Sequence, residues 1–212
     1  MDLAIDNAAF ILRSFTLNLL LAAIAIPIAL PIAALFAFGR MSQNKPIYYL
    51  VTVYVNVLRS MPLIMVMFWL YFLAPIVLGR QTSAFNAALL ALAVFEIAYF
   101  TEIIRAGIQS IPVGQKYAAL SSGMRPWQVA TRVILPQAIR RMLPSLTTQS
   151  IIALQDTTLA SVIGVLEISA AATVLNSREG NPALFYSLIA VIYFIVCYCL
   201  SLTVRCLERR PI

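Results

Sequence analysis

The sequence predicts an all-α, multi-pass membrane protein, and three observations carry that expectation. Hydrophobic residues make up 62% of the 212-residue chain, and its mean hydropathy is +0.91, more apolar surface than a water-soluble fold of this size buries. Most of the charge falls in intervals that divide the chain into apolar segments as long as the roughly 20 residues a spanning helix needs. The basic residues between those segments fall mainly on alternate intervals, as they do when a chain crosses a membrane repeatedly.

The first span is expected at about 15–38, because no charge stands between Arg13 and Arg40. Pro27 and Pro31 lie inside it and each removes a backbone donor, so a bend is expected near mid-membrane, as a packing kink or a gating hinge. The next apolar stretch, 47–78, is too long for one straight crossing at about 1.5 Å per residue. Asn56, Arg59, Ser60 and Pro62 interrupt it, and Pro62 removes the usual helical donor to the Leu58 carbonyl. A helix broken near 59–62 is therefore expected, of the kind tolerated at membrane depth where it lines a cavity or is buried in protein.

The third span, 84–106, contains Glu96, Glu102 and Arg105. The fourth, 146–168, holds Gln149, Gln155, Asp156, Thr157, Thr158, Ser161 and Gly164. It is too polar to face lipid on all sides and is expected to be an inner helix, irregular near Asp156. A polar loop from Ser169 to Pro182 follows, with Gly180, Asn181 and Pro182 as turn formers. The last span, 183–204, is uncharged and closes on Arg205, Glu208, Arg209 and Arg210.

Five spans place the termini on opposite sides. Of the Lys and Arg residues outside the spans, ten fall on one side and only Arg13, Arg80 and Arg178 on the other. The positive-inside rule then puts the N-terminus outside and the C-terminus and the 108–141 loop in the cytoplasm. Asp2 and Asp6 precede any basic residue, the wrong charge for a cleavable signal peptide, so the first segment is expected to be retained. The whole of 1–212 reads as one transmembrane domain.

Composition also excludes function classes. The chain has no histidine, so a histidine metal site and a histidine-based catalytic triad are ruled out. Cys197 and Cys199 point to different sides of a helix and Cys206 lies at its end, as small apolar residues rather than a disulfide or metal site. The net charge of +7 would suggest nucleic acid in a soluble protein, but in a membrane protein its placement matters more; no nucleic-acid partner is expected.

Two groups of residues remain to carry function. The 108–141 loop has five basic residues and no acidic one. Within it, Ala118 and Ala119 would let a helix approach another protein closely, Gly123 permits a turn, and Pro136 cannot continue a helix from the preceding turn. The expectation is a short helix, a turn, and a second segment with a fixed end. The other group is intramembrane: Arg59, Glu96, Glu102, Arg105 and Asp156. A charge at the bilayer centre costs about 2.5–3.5 kcal/mol on the insertion scale, so each must be paired, solvated or useful. Glu102 and Arg105, three apart, can pair. Glu96 has no partner in the sequence and reads as a buried packing residue. Arg59 and Asp156 admit two readings: a salt bridge closing a pore, or a site in which a guanidinium holds a carboxylate and a carboxylate holds an ammonium, as an amino acid requires.

The residues Tyr117-Ala118-Ala119, Gly123 and Leu135-Pro136 resemble the EAA loop of ABC importer permeases, with Tyr117 where the motif has its glutamate. Tyr54 to Leu63, Phe95 to Ile108 and Gln155-Asp156-Thr157-Thr158-Leu159 resemble the signatures of the polar amino acid permeases. The wording, with Gln155 before Asp156 and Arg178-Glu179-Gly180, is most similar to the glutamate/aspartate branch. This resemblance implies the five-helix architecture of type I ABC importer permeases and a bacterial inner membrane location. It also implies three kinds of partner: a dimer of ATP-binding-cassette ATPases, a second permease subunit, identical or sister, and an extracytoplasmic amino-acid-binding protein. The reading of the intramembrane charges as an amino-acid site places substrate against Arg59, Ser60, Met61, Thr101, Glu102, Asp156 and Thr157, and the EAA resemblance places the ATPase against Ala118, Ala119, Gly123 and Pro136. The chain lacks a GxxxxGK[ST] motif, so it is not expected to be an enzyme, and no cofactor or metal is implied. A glutamine or basic amino acid permease is the nearest alternative. A channel or secondary transporter also uses polar broken helices, and ATP-dependent uptake separates it.

Overall fold

The computed structural model describes residues 7–79 and 81–208, without the side chains of 78 and 203–208. Asp2, Asp6, Arg80, Arg209 and Arg210, and the side chains of Arg205, Cys206 and Glu208, which entered the sequence reading, lie outside what is described. The described residues form helices and no strand. In chain order these are α1 (Ala8–Arg40), α2 (Lys45–Arg59), α3 (Leu63–Phe68), a π-helical turn (Trp69–Leu73), α4 (Ala74–Leu78) and α5 (Ala84–Gln109). Then come α6 (Val113–Ser121), α7 (Pro126–Gln128), a second π turn (Val129–Ile134), α8 (Leu135–Asp156), a 3₁₀ segment (Thr157–Ile163), α9 (Ile168–Glu179) and α10 (Pro182–Glu208).

Three helices are long and apolar enough to cross a membrane, and two bent pairs bring the number to as many as five. The core lies between α1 and α5. Ala25, Ala29, Ala33 and Ala37 recur every fourth residue of α1 and are fully or almost fully buried. They pack on Ala87, Ala88, Ala91 and Ala98, and on Ile97, Phe100 and Ile104, of α5. Lipid tails are as apolar as leucine, so helices in a membrane associate through close packing and hydrogen bonds, and a stripe of small residues supplies both. Thr101 uses that approach: its hydroxyl donates to Ile97 O at 2.6 Å and reaches Ala33 O, across the interface, at 3.3 Å. Helix α1 runs unbroken through Pro27 and Pro31.

The break expected near 59–62 is present, and α2 and the following helix meet at 106°. The Leu58 carbonyl, expected to lack a donor, accepts from the Met61 N–H at 3.4 Å, because the chain tightens into a turn before Pro62 opens α3. Irregularity at Asp156 is also present, since α8 gives way there to the 3₁₀ segment.

Two expectations are corrected. Pro136 does not fix the end of a segment: it sits in the first turn of α8, and the helical path is continuous from Pro126 to Ile163. The π turn before it widens the ladder, which accommodates a residue with no N–H. The fourth helix therefore starts well before 146, inside the stretch read as loop. Nor is Ser169 to Pro182 a loop, since most of it is α9. The Glu167 carboxylate caps that helix by accepting from Ser169 N–H at 3.0 Å and Ala170 N–H at 2.9 Å.

Candidate functional site

The sequence-marked charges divide sharply by their surroundings. Arg59 ends α2 at the break and is exposed, with its guanidinium 5.4 Å from the centre of the Tyr99 ring, a cation–π distance. Ser60 turns its hydroxyl back to Asn56 O at 2.7 Å, and Met61 is half-buried beside it. Asp156 is the last residue of α8 and is half-buried. Among the described residues the ion pairs are Arg40–Glu102 and Arg105–Glu102, so Arg59 and Asp156 do not close on each other in this conformation. Arg59 marks the point where a helix stops, at the 106° turn, whereas Asp156 marks a change from α to 3₁₀ geometry within a continuous helical path.

The remaining acids are engaged. Glu102, half-buried on α5, accepts from both Arg105, one turn on, and Arg40, from the end of α1. One carboxylate thus ties two arginines and two helices together at one end of the bundle. Glu96 has no exposed surface and accepts from Gln149 of α8 at 3.1 and 3.3 Å, the partner that sequence alone did not show.

A second buried network escaped the sequence reading entirely. Asn18 of α1, Thr157 and Glu167 all have no exposed surface. The Asn18 amide donates to Thr157 Oγ1 at 2.9 Å and to Glu167 Oε2 at 3.0 Å, and its carbonyl accepts from Ile168 N–H at 3.1 Å. Asn18 thereby completes the cap of α9 from a distant part of the chain. The available signal was Gly164, whose φ of 92° only glycine adopts readily, followed closely by an acid in an apolar stretch. Thr101 and Thr157, both sequence-predicted to meet substrate, have buried hydroxyls bonded within the chain. In this conformation they hold helices together and present no surface.

The coupling residues sit on a hairpin of short helices beyond α5. Ala118 and Tyr117 face outward on α6, whereas Ala119 is turned inward and buried. Gly123 follows the helix with φ 85°, and the chain reverses there through Met124 N–H to Ala119 O at 3.3 Å, a left-handed C-terminal cap. Pro136 is exposed on α8, past the π turn that packs on α6.

Three helices long and apolar enough to cross a membrane, together with two bent helix pairs, define the class as a multi-pass membrane protein. The chain belongs to the family of binding-protein-dependent transport system inner membrane components, which it matches over residues 10–212. It is 36% identical over 213 residues to the glutamate/aspartate import permease protein GltK of Escherichia coli O6:H1, covering 97% of this chain and 95% of that one. It is 35% identical over 208 residues to the probable glutamine ABC transporter permease protein GlnP of Bacillus subtilis, with the same coverages of 97% and 95%. A crystal structure described as an amino acid ABC transporter with histidines superposes with a TM-score of 0.92, at 32% identity, over 98% of this chain and 96% of that one. An inward-facing MetNI methionine ABC transporter shares the fold, with a TM-score of 0.69 at 19% identity over 94% of each chain. The resemblance read from the sequence, to amino acid permeases of ABC importers, is borne out by these likenesses.

Proposed function

We propose that this chain is the subunit through which an ATP-driven importer carries a polar amino acid, glutamate or aspartate, into the cytoplasm. The observation that carries the reading is a guanidinium, Arg59, at a helix break, and a carboxylate, Asp156, where a helix passes from α to 3₁₀ geometry, neither of them in an ion pair among the described residues. A guanidinium binds a carboxylate with two parallel hydrogen bonds, and a carboxylate binds an ammonium. Arg59 takes the α-carboxylate, with Ser60 and Met61 beside it, and Asp156 takes the α-ammonium. Glu102 acts on the route beyond, through its hold on Arg40 and Arg105, while Thr101 and Thr157 keep the flanking helices in register. Identity to a glutamate/aspartate permease supports the acidic substrate. The similar identity to a probable glutamine permease keeps glutamine as the second reading.

Energy comes from a dimer of ATPase subunits docked on α6, with Ala118 and the Gly123 turn at the contact and Pro136 behind it. A second permease subunit completes the pathway, and an extracytoplasmic binding protein delivers the amino acid. The chain lies in the inner membrane with its N-terminus outside. Competition uptake with glutamate, aspartate, arginine and glutamine, in vesicles containing the reconstituted importer, tests the substrate. Glutamate and aspartate should compete and arginine should not. Arg59→Ala and Asp156→Ala subunits that still bind their ATPase should lose transport; native rate and affinity in both would remove these residues from the site.

A further inference from the structure

Outside the transport pathway, the strongest unexplained feature is a cleft of about 260 Å³ along the start of α8, lined by Arg132, Val133, Pro136, Gln137, Arg140 and Arg141. It has the volume of roughly eight or nine molecules of liquid water at about 30 Å³ each. The lining positions repeat every fourth residue, so they share one face, and three of the six are arginines. Arg132 and Arg140 form no hydrogen bond or ion pair among the described residues, and both are exposed. No acidic residue occurs between Glu102 and Asp156, so nothing nearby in the sequence neutralises them.

The level of the cleft is fixed by Arg141, whose guanidinium donates to Ser110 O at 2.7 Å. Ser110 caps α5, one of the helices long enough to cross the membrane, so Arg141 stands where that span ends. Arg132 lies nine residues earlier, about 13 Å further out along a helix. Ile139, between the lining positions, is 44% exposed, and directly past the cleft α8 exposes Leu143 by 36%, as it runs towards its apolar part. A polar anion-binding end at the membrane surface, followed by an exposed apolar side chain further in, has the chemistry of a phospholipid: headgroup outside, acyl chain inside. The planar guanidinium fork pairs with two oxygens of a phosphate, and basic pockets on the cytoplasmic side of spanning helices suit anionic headgroups.

We propose that this cleft binds the phosphate of an anionic phospholipid headgroup, with Arg132 and Arg140 as its ligands and the acyl chain running inward past Leu143. The site goes beyond the transport reading and does not depend on which amino acid is carried. It would clamp α8 to the membrane surface beside the hairpin that contains α6.

The test uses the assembled importer in nanodiscs of phosphatidylcholine containing a photoreactive phosphatidylglycerol. Cross-links mapped by peptide mass spectrometry should concentrate on 132–143, and an Arg132→Gln/Arg140→Gln subunit should retain about tenfold less anionic lipid or worse. Inorganic phosphate in excess, against chloride at equal ionic strength, should leave the cross-links in place. If phosphate abolishes them, the occupant is free phosphate and the lipid assignment is overturned. If the native chain shows no cross-links at 132–143, the arginines face a protein and the proposal fails; this map needs no variant to fold. Unchanged lipid retention in an assembled double variant would overturn it equally.

Discussion

Replacing Gly107 with alanine tests whether α5 and α8 are held at backbone contact. Gly107 is buried on α5, and a Cβ placed there would stand 2.7 Å from Met142 Cβ, 3.2 Å from its sulfur and 3.3 Å from its Cγ. Carbon atoms pack best at about 3.5–4.0 Å, so roughly 1 Å must be found. The closest atom is Met142 Cβ, which is fixed to the backbone of α8, and rotation of the methionine side chain cannot move it. The helices themselves must part, at a cost of about 1–3 kcal/mol. For a chain of this length each kcal/mol lowers the melting temperature by about 2–4 °C. Purified permease–ATPase complex heated in detergent and assayed for folded, monodisperse protein should therefore lose stability by roughly 2–12 °C. The second site sharpens the test. Met142→Ala keeps the offending Cβ and should rescue nothing, while adding its own cavity cost of about 2–5 kcal/mol. Met142→Gly carries at least the same cavity cost plus about 1 kcal/mol for glycine in a helix, but it removes that atom, so it should destabilise the Gly107→Ala chain by less than it destabilises the native one. A Gly107→Ala protein as stable as the native one, or equal rescue by Met142→Ala, would refute backbone contact.

Three further outcomes follow from the same structure. In a background without Cys197, Cys199 and Cys206, an impermeant thiol reagent added outside should label Ser83→Cys and spare Gln115→Cys; the reverse would invert the topology. Gly123→Leu should cost about 1–2 kcal/mol, because its φ of 85° is a left-handed conformation while no atom lies within 4 Å of the added Cβ. With the α6 turn distorted, ATPase binding or coupling should fall while the external protein still binds amino acid, and normal uptake would show that the turn does not couple. Glu102→Ala leaves Arg40 and Arg105 without their shared acceptor, which should lower complex stability by about 1.5–3 kcal/mol, whereas Arg105→Ala alone, with the Arg40 link intact, should cost less in the same thermal assay.

What the sequence revealed depended on how local the cause was. The broken second helix was legible because Pro62 and the polar residues before it act within one turn, but the 106° angle was not, because packing sets it. Glu102 and Arg105 were legible as a pair three residues apart, while Arg40, which shares the same carboxylate, stands 62 residues away. Helix α9 was misread as a loop because its start is completed by Asn18, 150 residues earlier. The rule that proline stops a helix failed at Pro136 for a different reason: a π turn, invisible to composition, absorbs the missing donor.

The same distinction separates structural from functional charge. A membrane core offers no water to satisfy a polar group, so an acid placed there without purpose must find a partner within the protein. Glu96 finds Gln149, Glu167 finds Asn18 and two backbone N–H groups, and Glu102 finds two arginines. The Glu96–Gln149, Glu167–Asn18 and Glu102–Arg40 links join different helices, so they fix register where small apolar residues alone would let one helix slide past another. Arg59 and Asp156 break this pattern, because each keeps exposed surface and forms no ion pair among the described residues. The sequence already set Arg59 and Asp156 apart, in helices it marked as irregular; the structure adds that a fold able to pair Glu96, Glu102 and Glu167 leaves these two without an ion pair, one at the 106° turn and the other where α8 passes into the 3₁₀ segment.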